Sequence, residues 1–279
     1  MHKIIAVTIL AALMLAGCSM PFDKLPFFHG SDYVEENEPQ AKTVENKELV
    51  QTTEKTVQTE QIDPEFLLEE QYFNVVQTVN GQPVIQNPDN ILVLVNKDFF
   101  LPVDYKPNDL TVPNIQFSFG DADVPKRYLR KEAAAALEQL FLAAKKDGVI
   151  LFGASGFRSY DRQVELFEAE KKQKGEQKAV QAVAKPGQSE HQTGLSIDVT
   201  SESVDFQITE KFGETKEGKW LQQNAHKFGY IIRYPKGKEA ITKYKYEPWH
   251  IRYVGKKAAK VIYENNLTLE EYFQKVKKI

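Results

Sequence analysis

Ser189-Glu190-His191-Gln192-Thr193-Gly194-Leu195-Ser196-Ile197-Asp198 sets an imidazole and a carboxylate seven residues apart, across a glycine. After the glycine, Leu195 to Val199 alternates apolar residues with Ser196 and Asp198, the period of a strand. A turn carrying His191 and a strand carrying Asp198 can aim both side chains at one point. A metal site needs a further ligand and a base. Tyr246-Glu247-Pro248-Trp249-His250 offers both, farther along the chain. The two segments read as halves of one catalytic zinc site.

Catalytic zinc takes three protein ligands and keeps a fourth position for water. His191, Asp198 and His250 supply two histidines and a carboxylate. Zinc lowers the pKa of its water from about 15.7 to about 7. A residue must still take that proton and pass it to the leaving amine. Glu247, three residues before His250, can stand beside the metal without ligating it, which suits a general acid/base. Arg158 lies in Ser155-Gly156-Phe157-Arg158-Ser159, a glycine-containing loop at the end of an expected strand. It can stabilise an oxyanion, an effect of about 3–4 kcal/mol per good donor, or hold a substrate carboxylate through a bidentate pair. Taken singly, each of these residues is more often structural than functional; the joint pattern reverses that balance. Of the five histidines, His2 and His29 fall in the N-terminal region. His226 sits in a polar helix with no partner at ligand spacing and reads as structural or exposed. Two-histidine, one-carboxylate ligation also admits other divalent metals. The residues alone indicate a metal-assisted hydrolase outside the membrane.

The remaining chain suits that setting. Net charge is −3 over 279 residues, with 5 basic and 10 acidic side chains in residues 1–63. Neither that segment nor the near-neutral remainder suits nucleic acid. The single cysteine, Cys18, excludes an intramolecular disulfide. Ile4 to Ala16 is an apolar run too short for a comfortable membrane span. It ends in Leu15-Ala16-Gly17-Cys18, which resembles the lipobox of bacterial lipoproteins. That resemblance implies a signal at 1–18, lipidation of Cys18 and an extracytoplasmic domain anchored to the cell membrane. Two acyl chains would supply the anchoring that one cannot. Residues 19–63 are polar and poor in large apolar side chains, the composition of a disordered tether. The catalytic domain is expected over 64–279, as a monomer.

Within it, Tyr72–Val79, Asn80-Gly81 and Gln82–Ile85 read as a hairpin with a type I′ turn. Ile91–Val95 reads as a strand and Phe99–Phe119 as an ordered loop. A helix is expected over Pro125–Asp147, ended by Gly148, then a strand over Val149–Ala154 and a helix over Asp161–Lys174. Val204–Glu217 reads as irregular. Helix 219–228, strand 230–234, strand 251–254 and helices 255–265 and 269–278 follow, with Thr268 as N-cap. The balance is α+β: a small, mainly antiparallel sheet flanked by helices.

Three separated motifs, Ser155-Gly156-Phe157-Arg158-Ser159, Ser189-x-His191-x-x-Gly194-x-x-x-Asp198 and Glu247-Pro248-Trp249-His250, resemble the VanY-type D-alanyl-D-alanine carboxypeptidases. These belong to a wider group of zinc peptidases that includes lysostaphin and the Sonic hedgehog N-terminal domain. The resemblance covers about residues 90–265, including Leu101-Pro102, Tyr105-x-Pro107-x-Asp109-Leu110 and Trp220-Leu221 through Phe228-Gly229. It implies zinc on His191, Asp198 and His250, with Glu247 as base and Arg158 engaging the substrate. It further implies substrate contacts from Gln163, Ser189 and Trp249. The implied reaction is that of a D,D-carboxypeptidase, which removes the C-terminal D-Ala from peptidoglycan stem peptides. The same scaffold carries L,D-carboxypeptidases acting on tetrapeptide stems, and non-catalytic binding of wall peptides is a further alternative. The chain departs from the family's usual residues at Ser196 (Ala), Phe157 (Tyr) and Thr242-Lys243 (Thr-Gly).

Overall fold

A computed structural model describes residues 63–279. Cys18 and the export signal and tether expected before residue 63 lie outside the described residues. Among the described residues, no helix is long and apolar enough to cross a membrane.

The Asp63 carboxylate accepts the Glu65 N–H at 3.0 Å and caps a 3₁₀ turn over Pro64–Phe66. β1 (Leu67–Leu68) follows, then a hairpin of β2 (Val76–Val79) and β3 (Gln82–Ile85). Asn80 and Gly81 both have positive φ, +50° and +77°, as a type I′ turn requires. The strand expected at Ile91–Val95 is not one: the segment joins no ladder. Its apolar character reflects burial, with Val93 and Val95 fully covered. Side chains replace the missing neighbour. Asn74 bonds the N–H and C=O of Leu94 at 3.0 and 2.8 Å, and Arg252 Nη2 donates to the carbonyls of Ile91 and Val93.

The 99–119 loop contains β4 (Leu110–Thr111), which pairs antiparallel with β5 (Leu129–Arg130). That pairing takes Pro125–Arg130 out of the expected helix, so α1 runs only over Lys131–Lys146. α1 buries Ala133, Ala134, Leu137, Leu140 and Ala144 as one stripe. β6 (Phe152–Ser155), α2 (Tyr160–Lys174) and α3 (Glu176–Ala182) come next; α3 has no counterpart in the expected elements. β7 (Ser196–Thr200) leads through 3₁₀ turns to α4 (Lys216–Asn224), and a further 3₁₀ turn completes the expected 219–228 helix. β8 (Tyr230–Tyr234), α5 (Glu239–Thr242) and β9 (Glu247–Tyr253) follow. Lys243, at the family's glycine position, adopts φ +62°, and its Nζ pairs with Asp98 at 2.6 Å. α6 (Lys256–Glu264) and α7 (Leu269–Lys275) close the helical part, and Thr268 caps α7 in a capping box with Glu271. The last helix stops short of Lys278 because β10 (Lys277–Lys278) pairs parallel with β1.

The central sheet has the order β6-β7-β9-β8, antiparallel throughout. On one side, Leu137 and Leu140 of α1 share a core with Leu195, Ile197 and Ile251. A second cluster joins Ile231 to Ala259, Ile262, Leu269 and Tyr272. The architecture is the expected α+β arrangement of a small antiparallel sheet with flanking helices.

Two arginines of this sheet are wholly buried. Arg233 donates to Glu190 at 2.8 Å and to Glu270 at 2.6 and 2.8 Å; Arg252 donates to Glu190 at 2.7 Å. The group ties β8, β9, α7 and the turn before β7 together. Removing one partner of a buried ion pair costs about 3–5 kcal/mol, because a charge is left uncompensated. Arg233→Met is therefore expected to lower the urea-unfolding free energy by about that amount.

Candidate active site

Asp198 of β7 stands directly opposite His250 of β9. Opposed residues on neighbouring antiparallel strands point to the same face, and His250 Nδ1 lies 3.0 Å from Asp198 Oδ1. His191 comes from the 3₁₀ turn Glu190–Thr193, which ends at Gly194 with φ +66°. The positive φ favours glycine, and a Cβ there would also press on Leu110 Cδ2 at 2.9 Å and on the Arg130 backbone nitrogen at 3.3 Å. His191 Nε2 reaches to 3.5 Å from Asp198 Oδ2. One ligand atom from each of the three lies within 4.8 Å of the others, and all three residues are buried.

The donor set fits zinc. Ligands about 2.0–2.1 Å from a tetrahedral zinc lie about 3.4 Å from one another, and the two histidine–aspartate approaches, 3.0 and 3.5 Å, bracket that value. His191 Nδ1 is 2.9 Å from the Gly156 carbonyl. A carbonyl only accepts, so Nδ1 carries the proton and the Nε2 lone pair faces Asp198.

Glu247 opens β9. In a regular strand, residues three apart face opposite sides. Pairing with β8 slips between Ile232↔Ile251 and Tyr234↔Glu247, which leaves β9 with extra residues around Pro248. This bulge re-aims the chain, and Glu247, Trp249 and His250 line one cavity of about 220 Å³. Arg158, Gln163 and Ser189 line it too. Thus all the residues expected from the sequence to form the site converge. Arg158 Nη1 donates to Gln163 Oε1 at 3.1 Å and Nη2 to Ser155 Oγ at 3.2 Å. Gln163, 1% exposed, donates in turn to the Ala184 carbonyl at 2.7 Å, so it braces Arg158 from behind. His226 is apart from this site, stacked on Tyr263 at 3.6 Å.

Burial sorts the titrating groups. It lifts the Glu247 carboxyl to about 7; His250 opposes the rise and the charge of Asp198 adds to it. Burial also works against charge on Asp198, but His191, His250 and Arg158 outweigh it and hold that carboxyl below its usual value. Two neighbouring carboxyls are thereby separated into a proton acceptor near neutrality and a permanent anion. Burial, helped by Arg158, pushes His191 down to about 3, so the ring stays neutral as a ligand must. His250 goes the other way: its bonds to Asp198 and Glu190 overcome burial and raise it to about 9 in the metal-free site, so a metal binding there would displace a proton from the ring.

Sequence reasoning missed Glu190 and its arginines, and it missed Tyr234 and Tyr244 in the cavity wall. Glu190 lay inside the quoted motif, but a glutamate between two polar residues carries no mark of burial.

The family model for VanY, D-alanyl-D-alanine carboxypeptidase, matches residues 126–256. The Bacillus subtilis protein YodJ is 58% identical over 237 residues, 85% of this chain and 86% of that protein. The LdcB LD-carboxypeptidase structure shares 61% identity with a TM-score of 0.75, covering 77% of this chain and all of that one. The vancomycin-resistance D,D-pentapeptidase VanY, solved with Zn(II), shares 36% identity with a TM-score of 0.53, over 66% of this chain and 98% of that one.

The Gly156 carbonyl that orients His191 is held by close packing. A Cβ on Gly156 would sit 2.6 Å from the Tyr128 carbonyl oxygen. Gly156→Ala must shift this loop, and zinc affinity is expected to fall about 10–100-fold, measured by competition with a chromophoric chelator.

Proposed function

Because the chain belongs to the VanY D-alanyl-D-alanine carboxypeptidase family, we propose that it removes the C-terminal D-Ala of peptidoglycan stem peptides, with zinc held by His191, Asp198 and His250. The observation that carries this reading is Glu247, an acid lifted to about 7 in the same cavity as the ligand set and Arg158. A module that only bound wall peptides would have no use for such a base. Zinc, when bound, supplies a Lewis acid that makes water nucleophilic near neutral pH. Glu247 accepts the proton as the water oxygen bonds to the peptide carbonyl carbon. It returns that proton to the D-Ala nitrogen as the C–N bond breaks. Arg158 spends two N–H donors on Gln163 and Ser155 and keeps others for the cavity. They serve the developing oxyanion or the terminal carboxylate. Ser189 and Trp249 form part of the wall against which D-Ala rests.

Between tetrapeptide and pentapeptide stems, the much higher identity to the LD-carboxypeptidase than to the D,D-pentapeptidase favours L,D-cleavage of the tetrapeptide. The family's own description supports the second reading, D,D-cleavage of the pentapeptide. The test supplies the zinc-loaded chain with muramyl tetrapeptide and pentapeptide separately and follows free D-Ala. Release from tetrapeptide is expected. Release confined to pentapeptide would establish the second reading, and release from neither would sink the carboxypeptidase assignment. Glu247→Ala is expected to keep zinc and lose about 10²–10⁴-fold in kcat.

The proposal extends to location: lipidated at Cys18, the enzyme would work at the outer face of the cell membrane. Labelled palmitate is expected in the wild-type protein and absent from Cys18→Ser. Equal labelling of both would remove the anchor.

A further inference from the structure

Glu190 precedes a ligand in sequence, but its carboxylate meets the other histidine. Its Oε2 lies 3.4 Å from His250 Nε2. The side chain is fully buried, and its other oxygen, Oε1, accepts from Arg233 Nε at 2.8 Å and Arg252 Nη1 at 2.7 Å. Two guanidiniums therefore clamp one oxygen and leave the second aimed at the imidazole. Arg233 is fixed in turn by Glu270, and Arg252 by backbone carbonyls of residues 91 and 93. Oε2 has one further donor, Ser196 Oγ at 3.2 Å.

An ionised carboxylate only accepts hydrogen bonds, so the nitrogen facing it must carry a proton. On His250 that nitrogen is Nε2. Nδ1 also faces a carboxylate, Asp198 Oδ1 at 3.0 Å, so in the metal-free site it carries a proton as well; zinc shared with Asp198 and His191 would displace the Nδ1 proton and leave Nε2–H to Glu190. His191 shows the same logic in reverse, with Nδ1 tied to Gly156 and Nε2 directed inward. The two ligands thus present different ring nitrogens, each selected by the partner on the opposite side of its ring.

We propose that Glu190 is a positioning residue for the metal centre, that it orients His250 with Nδ1 toward the metal, and that Ser196 weakens this hold by donating to the same oxygen. The proposal rests on the zinc reading of the site but not on which stem peptide is cleaved. A carboxylate behind a ligating imidazole raises the ring's basicity. A hydroxyl on the same oxygen draws off part of that charge. Removing the hydroxyl should strengthen the ligand while weakening the fold, and a merely structural serine could not produce these opposite signs.

The experiment uses the full chain and two readouts that need no substrate: zinc affinity by chelator competition, and the visible absorption spectrum of the cobalt(II)-loaded protein. Glu190→Gln is expected to bind zinc about 10–100-fold more weakly, with a shifted cobalt spectrum. Ser196→Ala is expected to bind zinc about two- to tenfold more tightly, while its metal-free form unfolds at lower urea. Zinc affinity and cobalt spectrum at parental values in a folded Glu190→Gln would overturn the proposal. Should Glu190→Gln not fold, Ser196→Ala decides: zinc affinity unchanged or weakened overturns it. A parent chain that binds no zinc would overturn the metal site itself, a failure separable from that of Glu190.

Discussion

The register of β7 against β9 is the constraint on which the site depends. Asp198 meets His250 because the two strands pair with those residues opposed. A slip of one residue would send the two side chains to opposite faces, and no rotamer change could recover the ligand set. The register is held by more than the ladder. Every residue of β7 is buried, so a slip would turn Ser196 and Asp198 toward the apolar core in place of Ile197 and Val199. Arg252, two residues beyond His250, is locked to Glu190 and to the 91–93 carbonyls. The bulge at Pro248 absorbs the mismatch with β8, so that β9 can satisfy both neighbours and still direct Glu247 inward.

Behind the ligands stands a second charged group of different character. Glu190, Glu270, Arg233 and Arg252 contribute two negative and two positive charges, all removed from water. The group therefore adds direction without adding net charge. On the cavity side burial raises Glu247, whereas His191, His250 and Arg158 hold Asp198 down against the same burial, so the two carboxyls shift in opposite directions although they share one space. The site thus has an electrically neutral frame and a polarised interior. A frame of this kind keeps donors and acceptors in place while protons move among the groups in front of it.

Much of this could be read from the sequence where chemistry and geometry share a short window. Asn80-Gly81 specified its turn, the alanine and leucine stripe specified α1, and Gly194 marked the bend between His191 and its strand. The ligands were legible because imidazoles and carboxylates at suggestive spacings are scarce in this chain. What could not be read depended on partners distant in sequence. Leu129 and Arg130 look helical until Leu110 and Thr111 are brought beside them. Ile91 to Val95 looks like a strand because its apolar residues are buried, though its hydrogen bonds go to side chains. Arg233 and Arg252 alternate with apolar residues as outward-facing strand residues would, and only the carboxylate at Glu190 makes them interior.

β1 and β10, the first and last strands described, lie side by side, with Leu67 beside Lys277 and Leu68 beside Lys278. The Ile279 N–H donates to the Leu68 carbonyl, and the Ile279 carbonyl accepts from Glu70. The module is therefore nearly a closed loop of chain. A few linker residues could join its end to its beginning, and a new opening could be cut at an exposed turn such as Asn80-Gly81 without touching the central sheet. A chain permuted in this way would carry the same motifs in another order around the same sheet.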